Sequence, residues 1–170
     1  MCIRDSSSGA DIAYSAALNP EAFTVSLWVN ADPIGSGHRS PLTSRDDGPA
    51  RGYILYAEPG NTWQFWIGTG TGWSNVQGPA VALGEWTHLA ASYADELNRF
   101  YVNGFLAGEN TNPISLNAEQ PLRIGGGATE GPGDFFFVGM IDEVRIYNSE
   151  LSESEALWLS GRDAPIHKPF

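Results

Sequence analysis

Hydrophobic and polar positions alternate in short runs along most of this chain, as they do in half-buried β-strands. In the run 23–29, Phe23 and every second residue after it are apolar, and the residues between them are polar apart from Trp28. Further strands are predicted at 52–57, 62–67, 86–93, 98–102, 105–108, 120–124 and 135–147. The sequence pattern contains neither a long amphipathic helix nor a regular alternation of strand with helix, so it favours an all-β fold over a parallel α/β fold.

Turn-forming residues separate these runs at short intervals. The segment 58–61 predicts a hairpin turn, and Asn103-Gly104 is the strongest two-residue hairpin signal in the chain. Eight or more short strands with frequent turns predict an antiparallel jelly-roll β-sandwich. Two long loops, at 32–41 and 125–133, either carry function or are surface insertions.

The last predicted strand is followed by one short C-terminal helix. Ser152 and Glu155 form a capping box at its start. Strict alternation along the strand puts Asp142 and Glu143 on opposite faces, and puts Glu143 on the same face as Arg145. We therefore expect Glu143 and Arg145 to form ion pairs, with each other or across strands, that fix the closing strand.

Composition and charge limit the functions available to the chain. At 170 residues it suits one domain, and a formal net charge of −11 would repel a phosphate backbone, which excludes nucleic acid as a partner. The acidity has two interpretations: solubility, or calcium held by loop carboxylates, which requires several oxygens at one point. No apolar run approaches the roughly 18 residues of a membrane span, so no membrane insertion is predicted.

The ends of the chain differ in pattern from its middle. Residues 1–9 lack the apolar stretch of a signal peptide and do not continue into the strand pattern, so we interpret them as a non-native or truncated leader. We expect the domain to span 10–160, followed by a linker or tail at 161–170. Cys2 is the only cysteine, so no intrachain disulfide can form.

Five segments with recurrent motifs follow one another in order, at 18–29, 84–90, 101–104, 122–125 and 139–156. Together they resemble the laminin-G-like jelly-roll domains of the concanavalin A-like lectin and glucanase superfamily. The resemblance implies an extracellular or cell-surface location and other domains in a larger parent protein. It also implies an incomplete first strand, which would leave an unpaired sheet edge.

Because this superfamily includes glucanases, an enzyme is one hypothesis. Retaining hydrolysis needs two carboxylates about 5 Å apart, which on a strand requires positions two or four apart. The only carboxylates two apart are Glu153 and Glu155, and these lie on the predicted helix. We therefore predict no catalytic residues, and a glycan-active hydrolase or lyase is the least favoured function.

Carbohydrate binding is the leading hypothesis, because sugars stack on aromatic rings and hydrogen-bond to nearby polar groups. Alternation puts Trp63 in the core, with Phe65 and Ile67, and Trp66 on the outer face. Tyr56 shares that outer face, and Trp73 is placed in the adjoining glycine-rich turn. These three rings predict a platform for a polysaccharide or glycoconjugate, in a non-catalytic binding or adhesion module.

The alternative is a structural or protein-interaction spacer in which the same rings pack beneath loops. Trp28 and Trp86 fall at recurrent family positions and are interpreted as structural. His88, with no Cys, Ser or carboxylate constellation around it in sequence, is interpreted as a buried structural residue rather than a base. Exposure of the predicted platform distinguishes the two hypotheses.

Calcium is the one cofactor considered. Domains resembling this one sometimes bind calcium at a rim of the sandwich through loop carboxylates and carbonyls. Asp46, Asp47 and Asp134 are placed in loops of suitable character, and Asp142 lies near the last strand. These four residues are the candidate calcium ligands.

Overall fold

The computed structural model describes residues 2–3, 9–33, 37–127 and 135–162, and its strands form two six-stranded sheets. Sheet A contains, in spatial order, β1 (Cys2–Ile3), β12 (Gly139–Tyr147), β3 (Phe23–Ala31), β8 (Trp86–Ala94), β9 (Leu97–Val102) and β10 (Phe105–Thr111). Sheet B contains β2 (Ala10–Ile12), β11 (Leu122–Ile124), β4 (Arg39–Asp47), β5 (Ala50–Ala57), β6 (Thr62–Gly68) and β7 (Trp73–Ala80). A 3-10 helix (Ala16–Leu18) and the helix α1 (Glu153–Leu159) complete the elements.

All pairings between these strands are antiparallel. The inner faces of the two sheets pack together, with the Phe23 ring of sheet A 4.8 Å from the Tyr53 ring of sheet B. Trp63, Phe65 and Ile67 are buried in this core, as their alternation predicts. Each such side chain contributes roughly 1.5–3 kcal/mol by leaving water. The predicted all-β antiparallel jelly-roll sandwich with one short C-terminal helix is confirmed.

Two long strands of sheet B were not predicted. β4 is an interior strand although it carries Arg39 and Arg45, both of which are buried. The Arg39 guanidinium compensates its burial by donating to Asn61 Oδ1 at 2.5 Å. The second strand, β7, begins at Trp73, which therefore lies on a strand and not in a glycine-rich turn.

The predicted turns and the helix cap are present. Asn103 and Gly104 both have positive φ, 52° and 82°, as a two-residue hairpin turn requires. The Ser152 side chain accepts from the backbone N–H of Glu155, and the Glu155 carboxylate accepts from that of Ser152. α1 packs over the outer face of sheet A, where Ala156 lies in one buried cluster with Ala90 and Tyr101. Among the described residues, no helix is long and apolar enough to cross a membrane.

Strand β12 departs from regular alternation. Its register to β3 shifts between Asp142, which faces Trp28, and Arg145, which faces Ser26. Glu143 lies inside this bulge with φ of +53°, so it does not point away from its neighbour. The prediction that Asp142 and Glu143 point to opposite faces is therefore wrong, because a bulge breaks the period of two. The Glu143–Arg145 ion pair is present.

β1 is the strand that neighbours β12 at the edge of sheet A. Its two residues pair only with Gly139 and Met140, at the start of β12. Beyond Met140, that edge of β12 has no strand neighbour among the residues that the structure describes. The interpretation of residues 1–9 as a leader stays a prediction.

Candidate functional site

A cluster of aromatic side chains lines a cavity of about 170 Å³ on the outer face of sheet B. We call this cavity the aromatic pocket, and its lining residues are His38, Arg45, Ile54, Tyr56, Trp66, Trp73 and Phe135. The volume lies below the range of about 300–1,000 Å³ typical of pockets for drug-sized ligands. A single small ring therefore suits the pocket better than a large ligand.

These side chains come together from four different strands and from two loops. Because Tyr53 and Leu55 of β5 point into the core, Tyr56 points outward. Residue 54 of β5 pairs with Trp66 of β6, so the neighbouring side chains share the outer face. Trp73 pairs with the last residue of β6 and reaches the same surface from β7.

Arg45 forms the base of the aromatic pocket and is only 6% exposed. Its Nη1 donates to the Tyr56 hydroxyl at 2.5 Å, and its Nη2 lies 2.8 Å from Asp47 Oδ2. The guanidinium carbon lies 5.8 Å from the Trp73 ring centre and 5.3 Å from that of Phe135, within the range of cation–π contacts. One buried cation thus fixes three of the rings while a carboxylate balances its charge.

Tyr56 is the centre of the ring cluster. Its ring centre lies 5.0 Å from His38, 5.9 Å from Phe135 and 6.2 Å from Trp66, all in edge-to-face arrangements. Burial raises the pKa of the Tyr56 phenol, and the Arg45 charge offsets this only in part. The phenol therefore stays protonated and serves as a rigid floor, with 5% of its surface exposed.

The polar groups around the aromatic pocket are held in defined states. The Trp66 indole Nε1 donates to Gln64 Oε1 at 2.7 Å, which fixes the orientation of the ring. Burial lowers the pKa of His38; the Glu58 charge opposes this effect and the Arg45 charge adds to it. At neutral pH His38 is thus an uncharged imidazole, with one donor and one acceptor nitrogen.

The structure brings together the three predicted platform residues. Trp66 and Trp73 are half-buried at the surface of the aromatic pocket, whereas Tyr56 is buried beneath them, so the expectation of an exposed ring holds for the two indoles and is wrong for Tyr56. Sequence reasoning missed Arg45, His38 and Phe135. A signal for Arg45 existed, since Arg45 and Asp47 are two apart and would share one face of a strand, but residues 39–47 were not predicted as a strand.

The candidate calcium ligands are not brought together. Asp46 and Asp47 lie at the end of β4 rather than in loops, and Asp47 is paired with Arg45. Asp46 Oδ1 accepts the backbone N–H of Gly48, whereas Asp142 lies on β12 in the other sheet. Asp134 lies outside the described residues. No group of three or more His, Cys, Asp or Glu side chains suited to a metal occurs in the described part of the chain, and calcium binding stays a prediction.

His88 is buried in the structural setting that its sequence context predicts. Its Nε2 lies 2.9 Å from the Ser26 hydroxyl, and its backbone N–H donates to Asn103. Its ring packs 5.2 Å from that of Trp28. This arrangement offers no exposed base for catalysis.

Similarity to known proteins extends over nearly the whole chain. A laminin-G family model, described as the concanavalin A-like lectin/glucanases superfamily, matches residues 4–156. No curated protein matches the sequence.

Similar solved structures include the CBM40 of the Ruminococcus gnavus IT-sialidase bound to α2,3-sialyllactose. That match has a TM-score of 0.73 and 17% identity, and covers 90% of this chain and 96% of that one. Domain 4 of AbnA, a GH43 extracellular arabinanase from Geobacillus stearothermophilus, in complex with arabinotriose, has a TM-score of 0.72 and 24% identity, covering 93% and 75%.

The binding domain of botulinum neurotoxin serotype G is also similar, with a TM-score of 0.72 and 12% identity. The match covers 94% of this chain, which spans only 41% of the neurotoxin domain. Identities this low establish a shared fold and leave the ligand to be argued from the site itself.

Proposed function

This chain belongs to the concanavalin A-like lectin/glucanase superfamily, and we propose that it is a non-catalytic carbohydrate-binding module. The observation that carries the proposal is the aromatic pocket, where the half-buried indoles of Trp66 and Trp73 stand over a floor made by Tyr56 and Arg45. The proposed ligand is one sugar ring, at the end of a glycan or within a polysaccharide or glycoconjugate chain.

Recognition would use the two kinds of surface that a sugar presents. The C–H groups on one face of a pyranose or furanose ring are apolar and stack on an indole. Hydroxyl groups at the ring edge need polar partners, and neutral His38 supplies both a donor and an acceptor at the pocket wall. Because Arg45 already holds Tyr56, little side-chain entropy is lost on binding.

Two solved structures with this fold support the proposal. The CBM40 structure is described as bound to sialyllactose, and the arabinanase domain as in complex with arabinotriose. The arabinanase is described as extracellular, which supports a location of this module outside the cell or on its surface. A larger parent protein with other domains belongs to the same proposal.

We also propose that the module is not catalytic. The bulge in β12 does direct the Asp142 and Glu143 carboxylates to the same face of the sheet, which strict alternation does not predict. Both carboxylates are exposed, and Glu143 is paired with Arg145. In glycoside hydrolysis one carboxyl group protonates the leaving oxygen and a second acts as nucleophile or base, so both must be free to act on the sugar. The Glu143 carboxylate is instead engaged in an ion pair with Arg145.

The test is binding to a glycan panel that includes α2,3-sialyllactose and arabinotriose, followed by calorimetric titration of each glycan that binds. We expect Trp66→Ala and Trp73→Ala each to weaken binding by roughly tenfold or more, as truncation of a central aromatic residue does. Trp158→Ala is the matched control, because Trp158 is 69% exposed on α1. Failure of every glycan to bind, or unchanged affinity in both pocket variants, would contradict the proposal.

A protein-interaction module is the second candidate function. The exposed apolar side chains Phe105, Leu106 and Trp158 favour it. A module of this kind would bind no glycan, and Trp66→Ala and Trp73→Ala would leave its interactions unchanged. The glycan panel therefore separates the two functions.

A further inference from the structure

A second aromatic cavity, of about 320 Å³, lies on the outer face of sheet A, on the opposite side of the sandwich from the aromatic pocket. We call it the acidic cleft, and its lining residues are Trp28, Trp86, Asp142 and Glu143. Every charged side chain in this lining is a carboxylate. From this arrangement we infer that the acidic cleft binds an organic ammonium group, as a ligand distinct from the proposed glycan.

Register places the two indoles side by side. Trp28 of β3 pairs with His88 of β8, and Asn30 pairs with Trp86, so Trp86 lies diagonally next to Trp28 on the same face. Trp86 is 44% exposed, although its sequence context predicted a structural role. A large aromatic side chain open to water beside a second one offers two π faces to a ligand.

The bulge in β12 delivers the carboxylates to these rings. Asp142 pairs with Trp28 across the strands, and the positive φ of Glu143 turns the next carboxylate toward the same cavity. The backbone N–H of Glu143 donates to Asp142 Oδ1 at 2.9 Å, which holds the two residues in register. Regular alternation would place these two carboxylates on opposite faces of the sheet, but the bulge directs both into the acidic cleft.

Charge balance at the acidic cleft favours a cation. Arg145 is paired with Glu143, whereas Asp142 has no cationic partner among the described residues. His88, behind Trp28, is uncharged at neutral pH because burial lowers its pKa to about 4. The chain as a whole carries a formal charge of −11, so its field also attracts cations.

The combination of π faces and carboxylates selects for an alkylated ammonium group. An indole face attracts a cation through its quadrupole, and this attraction is best realised with weakly hydrated quaternary ammonium groups. A carboxylate adds a Coulomb attraction that a neutral sugar cannot gain. The same chemistry is present in free quaternary amines and in methylated lysine side chains of a polypeptide.

The test uses choline as the probe, with ionic strength matched by sodium chloride, and follows the indole N–H resonances by NMR. We expect saturable shifts of the Trp28 and Trp86 resonances, with a dissociation constant on the order of millimolar. The neutral analogue of choline, in which carbon replaces the ammonium nitrogen, should bind at least fivefold more weakly. Equal binding of this analogue would overturn the inference, as would the absence of saturable shifts at these two indoles.

Variants locate the site and separate charge from ring contact. Trp86→Ala should weaken choline binding at least fivefold and Asp142→Asn about threefold, while Trp158→Ala leaves it unchanged. Trp86→Phe keeps a smaller ring and should give an intermediate loss, which excludes misfolding as the cause. Wild-type affinity in Asp142→Asn would contradict the role of the carboxylate.

A second arm identifies the source of the ammonium group. A short peptide carrying one trimethylated lysine is titrated beside choline and beside the same peptide with unmodified glutamine. Tighter binding of the methylated peptide than of choline supports a polypeptide source, and equal binding supports a free amine. Binding of the glutamine peptide as tightly as the methylated one would overturn the inference.

Discussion

The outer faces of the two sheets both carry exposed or half-exposed tryptophans, yet their electrostatic settings are opposite. In the aromatic pocket of sheet B the rings surround a buried cation, Arg45. In the acidic cleft of sheet A the rings lie beside the carboxylates of Asp142 and Glu143. The aromatic pocket thus contains a cation of the protein itself, Arg45, whereas the acidic cleft contains carboxylates that we propose bind a cation from solution.

Strand alternation determines which residues face outward, while charge partners determine what the surface can bind. Trp66 and Trp28 are both outward-facing tryptophans on interior strands. Around Trp66 the cation is internal and balanced by Asp47, which favours a neutral, hydroxylated ligand. Around Trp28 the carboxylates are exposed, which favours a charged ligand.

The largest effect is expected on the sheet B side, from Arg45→Met. This change removes the cation under the rings and leaves Asp47 without its partner. Breaking a buried ion pair costs about 3–5 kcal/mol, and since Asp47 is partly exposed we expect the lower end of this range. Urea denaturation measures the change in the free energy of unfolding.

Arg99→Met on sheet A is the control for this prediction. Its ion pairs with Glu109 and Glu150 lie nearer the surface, where such pairs contribute about 0–1 kcal/mol. A similar loss of stability in both variants would show that Arg45 is not a special support of the pocket.

The next prediction concerns the pH dependence of folding stability on the sheet A side. His88 lies behind the acidic cleft, and its folded-state pKa of about 4 is below the unfolded value of 6.5. Between these values the unfolded chain binds a proton that the folded chain does not, so stability falls as the pH drops from about 6.5 to 4. Above pH 6.5 this group has no effect, and the full loss is roughly 3 kcal/mol.

His88→Gln should flatten this part of the stability profile, because glutamine can retain a hydrogen bond to Ser26 without titrating. His38→Gln, in the aromatic pocket, also removes a histidine whose pKa is lowered by burial. Thermal or urea unfolding from pH 7 to 4 compares the two variants with the parent. An unchanged slope in His88→Gln would mean that the carboxylates alone cause the acid sensitivity.

The smallest effect concerns α1, which covers part of the outer face of sheet A only. Ser152→Ala removes the side-chain half of the capping box and should cost about 1 kcal/mol of stability. Since α1 packs on Ala90 and Tyr101 and not on the acidic cleft, choline binding should be unchanged. Reduced choline affinity in this variant would show that the helix supports the cleft.

Sequence reasoning was most successful where alternation is regular. β3 and β6 follow a strict period of two, so their core residues and the outward position of Trp66 were predictable. The strand β4 was not predictable, because its two arginines are buried. Their partners, such as Asn61 and Asp47, are known only once the strands are paired. By its composition alone, the segment 39–47 is a charged stretch that contains a proline, and this does not predict an interior strand.

Two features of the sites lay beyond any local pattern. Phe135 reaches the aromatic pocket from a loop far from Arg45 in the chain, and no periodicity connects the two. The acidic cleft depends on a bulge with Glu143 at positive φ, a conformation that a non-glycine residue rarely adopts. Strict alternation places Asp142 and Glu143 on opposite faces of the sheet, so the acidic cleft could not be predicted from the sequence pattern.

The most direct test of the carbohydrate-binding proposal is an NMR map of the six tryptophan indoles during titration with a glycan that binds. Glycan binding in the aromatic pocket predicts saturable shifts of the Trp66 and Trp73 resonances, with those of Trp28 and Trp86 unchanged. Glycan-induced shifts at Trp28 and Trp86, with Trp66 and Trp73 unaffected, would contradict it.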